Sequence, residues 1–147
     1  MNDLPWAYFD TSTLVKRYVR ERGSLDAQRL LRRYKFLSSS IAPVELLSAI
    51  ARRHGQKEIS ERDYTAILSR IKQDRAFWEL VEIAPAVLAR AEEMVLDLNV
   101  RALDSIHLAS AVIFQDSTGR SLPFITSDER QFGAAQECGL EVIRVSE

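Results

Sequence analysis

Four carboxylates in this chain sit where charged groups could be gathered: Asp10, Glu45, Asp104 and Asp128. Asp10 directly follows Trp6-Ala7-Tyr8-Phe9, a short apolar and aromatic run that reads as a buried strand stopping at a polar residue. Asp128 lies two residues past the end of a similar run, Leu122-Pro123-Phe124-Ile125-Thr126. Glu45 and Asp104 fall in the first turns of expected helices, one after a serine-rich turn and the other after the connection Asn99-Val100-Arg101-Ala102. In open parallel sheets ligands sit at the carboxyl ends of the strands, and helices that start after strands share that rim. Four acids on one rim would repel unless a cation neutralised them. Oxygen-only ligands select a hard ion such as Mg²⁺ or Mn²⁺, and an ion that keeps several waters takes some of its acids through water. A carboxylate nest with one or two such ions suits phosphodiester hydrolysis, because it activates water and neutralises charge on the phosphate.

Each acid also has an ordinary explanation. Asp10 could cap the helix behind it, although Thr11-Ser12-Thr13 already offers three hydroxyls for that work. Asp128 suits a helix dipole, Asp104 could be a cap, and Glu45 alone is an unremarked helix residue. The joint placement on one rim carries the signal.

The elements that would position these acids alternate along the chain. Strands are expected at Trp6–Phe9, Phe36–Ser40, Leu80–Ile83, Leu122–Thr126 and Glu141–Val145. One or two helices separate each pair. The first runs through Leu14, Val15, Tyr18 and Val19 and is broken by Gly23, after which Ser24 is expected to cap the next. Pro43 opens a helix that Gly55 ends. Ser60, with Asp63 three residues on and Ile59 and Tyr64 flanking the cap, is the strongest helix-start signal. Val87, Leu88, Ala91, Met94 and Val95 form an apolar stripe, a further helix is expected over about 103–114, and Ser127 is expected to cap the last one. Such alternation predicts one α/β domain over residues 1–147, a three-layer α/β/α sandwich on a mainly parallel sheet.

Composition sets the bounds. With 147 residues, 46% of them hydrophobic and 28% charged, the chain is long enough for one proper core. A single cysteine, Cys138, excludes an internal disulfide and a cysteine-built zinc site. The start has no signal-peptide pattern and no apolar run is long enough for a bilayer, so a cytoplasmic protein is expected. A net charge of −1 argues against a protein wrapped in nucleic acid, yet not against an enzyme gripping a short stretch. The basic residues cluster in the N-terminal half, as Lys16-Arg17-Arg20-Arg22, Arg29-Arg32-Arg33-Lys35 and Arg52-Arg53-Lys57.

The blocks Tyr8-Phe9-Asp10-Thr11-Ser12, Val44-Glu45-Leu46, Leu103-Asp104-Ser105-Ile106-His107-Leu108-Ala109 and Ile125-Thr126-Ser127-Asp128 resemble the four motifs of the PIN-domain nucleases. The resemblance spans nearly the whole chain, and the short length is similar to that of the VapC toxins of toxin–antitoxin pairs. It implies a five-stranded sheet of order 3-2-1-4-5 and Mg²⁺- or Mn²⁺-dependent cleavage of RNA that leaves a 5′-phosphate. It also implies an antitoxin partner and allows a homodimer. The family's acids carry over to Asp10, Glu45, Asp104 and Asp128, with Asp10 and Asp104 as direct metal ligands. Ser12 and Thr126 match family hydroxyls that position a water, a carboxylate or a phosphate.

Two further residues carry open alternatives. His107 shares a helix face with Asp104, and its expected work is to orient a neighbour or to pack rather than to act as a general acid. Arg52 lies two turns beyond Glu45 and either contacts phosphate or pairs with an acid. Rival readings are weaker. A haloacid-dehalogenase-type phosphatase needs an acid where Ser12 stands, and a response-regulator receiver needs an acid pair near the first strand. A PIN fold kept for binding alone would be expected to lose acids, and all four are present. Within nucleases the alternative to a toxin is a housekeeping RNA-processing or DNA-cleaving relative, and only the compact length favours the toxin.

Overall fold

In the computed structural model, which describes residues 3–147, strand β1 (Trp6–Phe9) decides which helices lie on which face. Successive strand side chains point to opposite faces. Ala7 and Phe9 join a core cluster with Leu14, Leu30, Phe36, Ile50, Ile71 and Ile125. Tyr8 points the other way, into a cluster with Leu37, Val87, Met94, Leu108 and Phe124.

The remaining strands are β2 (Lys35–Ser39), β3 (Glu79–Val81), β4 (Pro123–Thr126) and β5 (Glu141–Arg144). Every pairing is parallel and the order is β3-β2-β1-β4-β5, as expected, with β1 at the centre between β2 and β4. The first cluster is covered by α1 (Thr11–Tyr18), α2 (Ser24–Arg33), α3 (Ala42–Gly55) and α4 (Glu61–Asp74). The second is covered by α5 (Pro85–Leu98), α6 (Ala102–Thr118) and α7 (Glu129–Glu137). The chain is therefore an α/β/α sandwich, and no described helix is long and apolar enough to cross a membrane.

Several expected boundaries move, for local reasons. Helix α6 runs four residues beyond 114, where Thr118 turns its hydroxyl back onto the Phe114 carbonyl and left-handed Gly119 ends the helix. Gly23, not Ser24, is the N-cap of α2, and the Ser24 hydroxyl instead donates to the Val19 carbonyl and accepts from the Glu21 N–H. Gly23 holds φ +86°, and a Cβ there would meet Val145 and the Ser146 carbonyl at 3.2 and 3.3 Å. Strand β3 begins and ends earlier than expected, since a single 3₁₀ turn (Arg75–Phe77) delivers the chain directly to Glu79.

The cap at Ser60 forms as expected, with its hydroxyl accepting from the Asp63 N–H at 3.1 Å. Ser60→Ala should lower stability by about 1 kcal/mol. Denaturant unfolding checks this. A loss below the measurement error would show that the cap carries no stability.

Candidate active site

The site is built outward from Asp10. Strand β1 ends there and α1 begins at the next residue, which leaves Asp10 as the N-cap with its side chain accepting from the Thr13 N–H at 3.4 Å. The three hydroxyls expected to cap α1 do other work. Ser12 Oγ donates to Asp10 Oδ1 at 2.5 Å, while Thr126 Oγ1, at the end of β4, donates to Oδ2 at 2.5 Å. Each hydroxyl is aligned by a backbone donor of the β4–α7 connection. The Ser127 N–H reaches Ser12 Oγ at 3.2 Å and the Asp128 N–H reaches Thr126 Oγ1 at 3.0 Å. Both carboxylate oxygens are thus held from two different elements.

Asp10 is only 5% exposed, and among the described residues no lysine or arginine pairs with it. Burial pushes its pKa up, opposed by nearby His107 and by the Ser12 and Thr126 hydrogen bonds. The cause is desolvation rather than the crowding of acids expected from sequence.

The other three acids sit on the same rim with partners of their own. Asp128 is the N-cap of α7, a place expected for Ser127, and its Oδ1 accepts from the Gln131 N–H at 3.1 Å. Asp104, in the first turn of α6, accepts from Arg101 Nε at 3.2 Å, and the same guanidinium lies 3.9 Å from Asp128. Gln131 ties the two helix starts together, its amide donating to the Asp104 carbonyl at 3.0 Å. Its Oε1 is buried with no partner among the described residues.

Glu45, from the first turn of α3, is turned to His107 and Thr11. Its Oε1 lies 2.6 Å from His107 Nε2 and accepts from Thr11 Oγ1 at 2.8 Å. Burial would raise the Glu45 pKa, but the His107 and Thr11 hydrogen bonds outweigh it and hold the group below the usual carboxylate range. His107 is buried on α6, with Nδ1 2.8 Å from the Tyr8 hydroxyl. Burial drives the Tyr8 phenol well above its usual pKa, so it remains a donor. His107 thus stands between Tyr8 and Glu45, one at each ring nitrogen.

As the side chains stand, no three acids or histidines among the described residues are gathered closely enough to share an ion. The donors still suit a hard cation. The rim offers carboxylates and hydroxyls, the His107 nitrogens are engaged by Tyr8 and Glu45, and Cys138 lies at the opposite end of α7 from Asp128. A buried carboxylate lacking a cationic side chain, beside two carboxylates that already share Arg101, fits a divalent ion at this position.

A groove of about 690 Å³ is lined by Ser12 and Ser127, which belong to the Asp10 clamp, together with Val15, Arg20, Ala49 and Arg52. Arg53, also in its wall, pairs with Glu21. Arg20 and Arg52 pair with no carboxylate among the described residues. Sequence reading passed over Tyr8, Thr11, Arg101 and Gln131. Arg101 could have been found three residues before Asp104, a spacing that suits an ion pair in the first turn.

Because its folded-state pKa is raised, ionised Asp10 weakens the fold above that pKa, and the penalty fades as pH falls through it, each unit of rise being about 1.4 kcal/mol. Glu45, held low, behaves oppositely: its contribution is present above its unfolded pKa and is lost as pH falls through the folded value. Comparing wild type with Asp10→Asn in chelator isolates the first effect. The difference in unfolding free energy should favour the variant most at neutral pH and shrink steadily toward about pH 4. A difference that stays flat across that range would show that Asp10 is not strained by burial.

Comparison with known proteins gives this geometry a family. No curated protein matches the chain in sequence. The chain is similar in structure to a toxin–antitoxin complex from Klebsiella pneumoniae, at 17% identity and TM-score 0.68, covering 96% of this chain and 98% of that one. It is similar to VapBC2 from Rickettsia felis bound to a DNA fragment from their promoter, at 13% identity and TM-score 0.65, covering 94% and 97%. It is also similar to VapBC-5 of the VapBC toxin–antitoxin family from Mycobacterium tuberculosis, at 18% identity and TM-score 0.60, covering 95% and 98%. The PIN domain profile matches residues 7–136, across all four acids, and the chain belongs to the PIN domain family.

Proposed function

We propose that this chain is a Mg²⁺- or Mn²⁺-dependent ribonuclease and the toxin of a toxin–antitoxin pair. The observation that carries the nuclease reading is Asp10, a buried carboxylate held by two hydroxyls without a cationic side chain, on one rim with Asp104, Asp128 and Glu45. Membership of the PIN domain family supports the same chemistry. The toxin reading draws support from the VapBC and toxin–antitoxin structures that share the fold along nearly their whole length. A cytoplasmic location and an antitoxin partner go with it. Leu88, Val95 and Leu96 on α5, with Leu103 on α6, are exposed and offer apolar surface to a partner or a second copy.

Asp10 and Asp104 would hold the ion directly, with Asp128 and Glu45 acting through its waters. A bound ion of this kind supplies a more acidic water and neutralises charge on the phosphate. The protein's own groups do the rest. Ser12 and Thr126 keep Asp10 an acceptor by donating to both of its oxygens. Arg101 keeps Asp104 and Asp128 facing each other across the α6 and α7 starts. Arg20 and Arg52 take phosphates of the strand that lies in the groove, where Val15 and Ala49 give an apolar floor.

The purified chain should cleave single-stranded RNA with Mn²⁺, leave 5′-phosphate ends and stop in chelator. Asp10→Asn and Asp104→Asn should each lower the rate by at least about a hundredfold while circular dichroism stays native. Full cleavage in chelator, or by Asp104→Asn, would overturn the metal-dependent reading. Expressed alone, wild type should arrest bacterial growth and Asp10→Asn should not. Equal growth at matched expression would remove the toxin role and leave the nuclease intact.

A further inference from the structure

Glu45 is placed with its two oxygens in different situations. Oε1 takes both the Thr11 hydroxyl, at 2.8 Å, and the contact with His107 Nε2, at 2.6 Å. Oε2 takes no hydrogen bond from the described residues and remains available to the rim. The group that fixes this difference, His107, is itself fixed from behind. It is 2% exposed, and the Tyr8 hydroxyl lies 2.8 Å from Nδ1.

Each ring nitrogen of His107 meets one partner, the Tyr8 hydroxyl at Nδ1 and Glu45 at Nε2. A neutral ring with its proton on Nε2 suits both contacts, since Nε2–H can then donate to the Glu45 carboxylate while Nδ1 accepts from Tyr8. Thr11 Oγ1, at 3.1 Å from Nε2, gives its own proton to Glu45 and can share the imidazole donor. Tyr8 cannot easily turn away. Its ring stacks on Phe124 at 5.2 Å and 7°, and meets the His107 ring edge-on at 5.8 Å and 76°. The line Tyr8–His107–Glu45 therefore begins in the core cluster under α5 and α6, and ends on α3 at the rim.

We propose that Tyr8 and His107 are positioning residues for Glu45: Tyr8 sets the ring tautomer and orientation of His107, and His107 pins Oε1 so that Oε2 is presented to the reaction. The inference rests on the nuclease reading of the rim. Tyr8 and His107 touch neither substrate nor ion. Their work is to keep a long, rotatable glutamate in one of its several conformers, a loss of freedom that the neighbouring acids, on shorter side chains, do not need.

Two measurements test this together. Nitrogen NMR of the histidine ring in metal-free protein reads the tautomer without any activity. Wild type should show Nε2 protonated and Nδ1 bare, and Tyr8→Phe, which removes only the hydroxyl, should lose that preference. Single-turnover cleavage of an RNA oligonucleotide with Mn²⁺ gives the second readout. Tyr8→Phe should slow cleavage roughly 10- to 100-fold with the half-saturating RNA concentration unchanged. In a Glu45→Ala background the same substitution should change the rate less than about twofold, because its target is gone. His107→Gln, whose amide can donate from near the Nε2 position, should keep more activity than His107→Ala. Tyr8→Phe and Glu45→Ala effects that multiply, or a wild-type ring protonated on Nδ1, would overturn the proposal while leaving the nuclease standing. A wild-type protein that cleaves no RNA with Mn²⁺ would overturn the nuclease reading and this one with it.

Discussion

Everything at the rim depends on a carboxylate held at the end of the central strand, out of water. Asp10 is placed there because β1 is paired on both sides and cannot shift, and because α1 starts at the very next residue. A carboxylate in that position is expensive unless its oxygens are satisfied. Ser12 and Thr126 satisfy one oxygen each, and the backbone of Ser127 and Asp128 aligns those hydroxyls. The clamp thereby joins β1, α1, β4 and the start of α7 into one unit. It supplies hydrogen bonds but no positive charge, and that residual deficit is the ground for the proposed cation site.

The neighbouring acids have protein partners as well: Arg101 serves Asp104 and Asp128 together, and His107 and Thr11 serve Glu45. These partners differ in kind. Arg101 is two-thirds exposed and its pairing is screened by water, so it gives way readily. His107 is buried and meets the Tyr8 hydroxyl, so the partner of Glu45 is enclosed rather than screened by water. The rim thus combines a rigid pair of acids, Asp10 and Glu45, with two that can adjust.

How much of this was legible in the sequence follows from the range of the interactions. Local patterns read well. The aromatic run before Asp10, the Ser60 cap and the alternation of strands and helices each fix a local conformation, and together they predict the parallel sandwich correctly. Identities that depend on contacts across the fold were not readable. Nothing near Thr11 in the chain shows that its hydroxyl turns to Glu45 rather than capping α1, because that choice is made by α3. Tyr8 looked like one more core aromatic, since its partner lies ninety-nine residues away on α6. The cap of α7 falls on Asp128 rather than Ser127 because the helix starts at Glu129, one residue later than expected. The acids themselves were visible as a set, but the partners they take, one of them shared by Asp104 and Asp128, are a property of the assembled rim.

The central claim, that the Asp10 clamp marks a divalent cation site, is tested most directly by anomalous diffraction from crystals of the protein equilibrated with Mn²⁺. The account predicts a manganese peak about 2.1 Å from an Asp10 carboxylate oxygen, with Asp104 turned from Arg101 to share it. Manganese absent from Asp10 at saturating concentration, or bound only elsewhere on the surface, would contradict it.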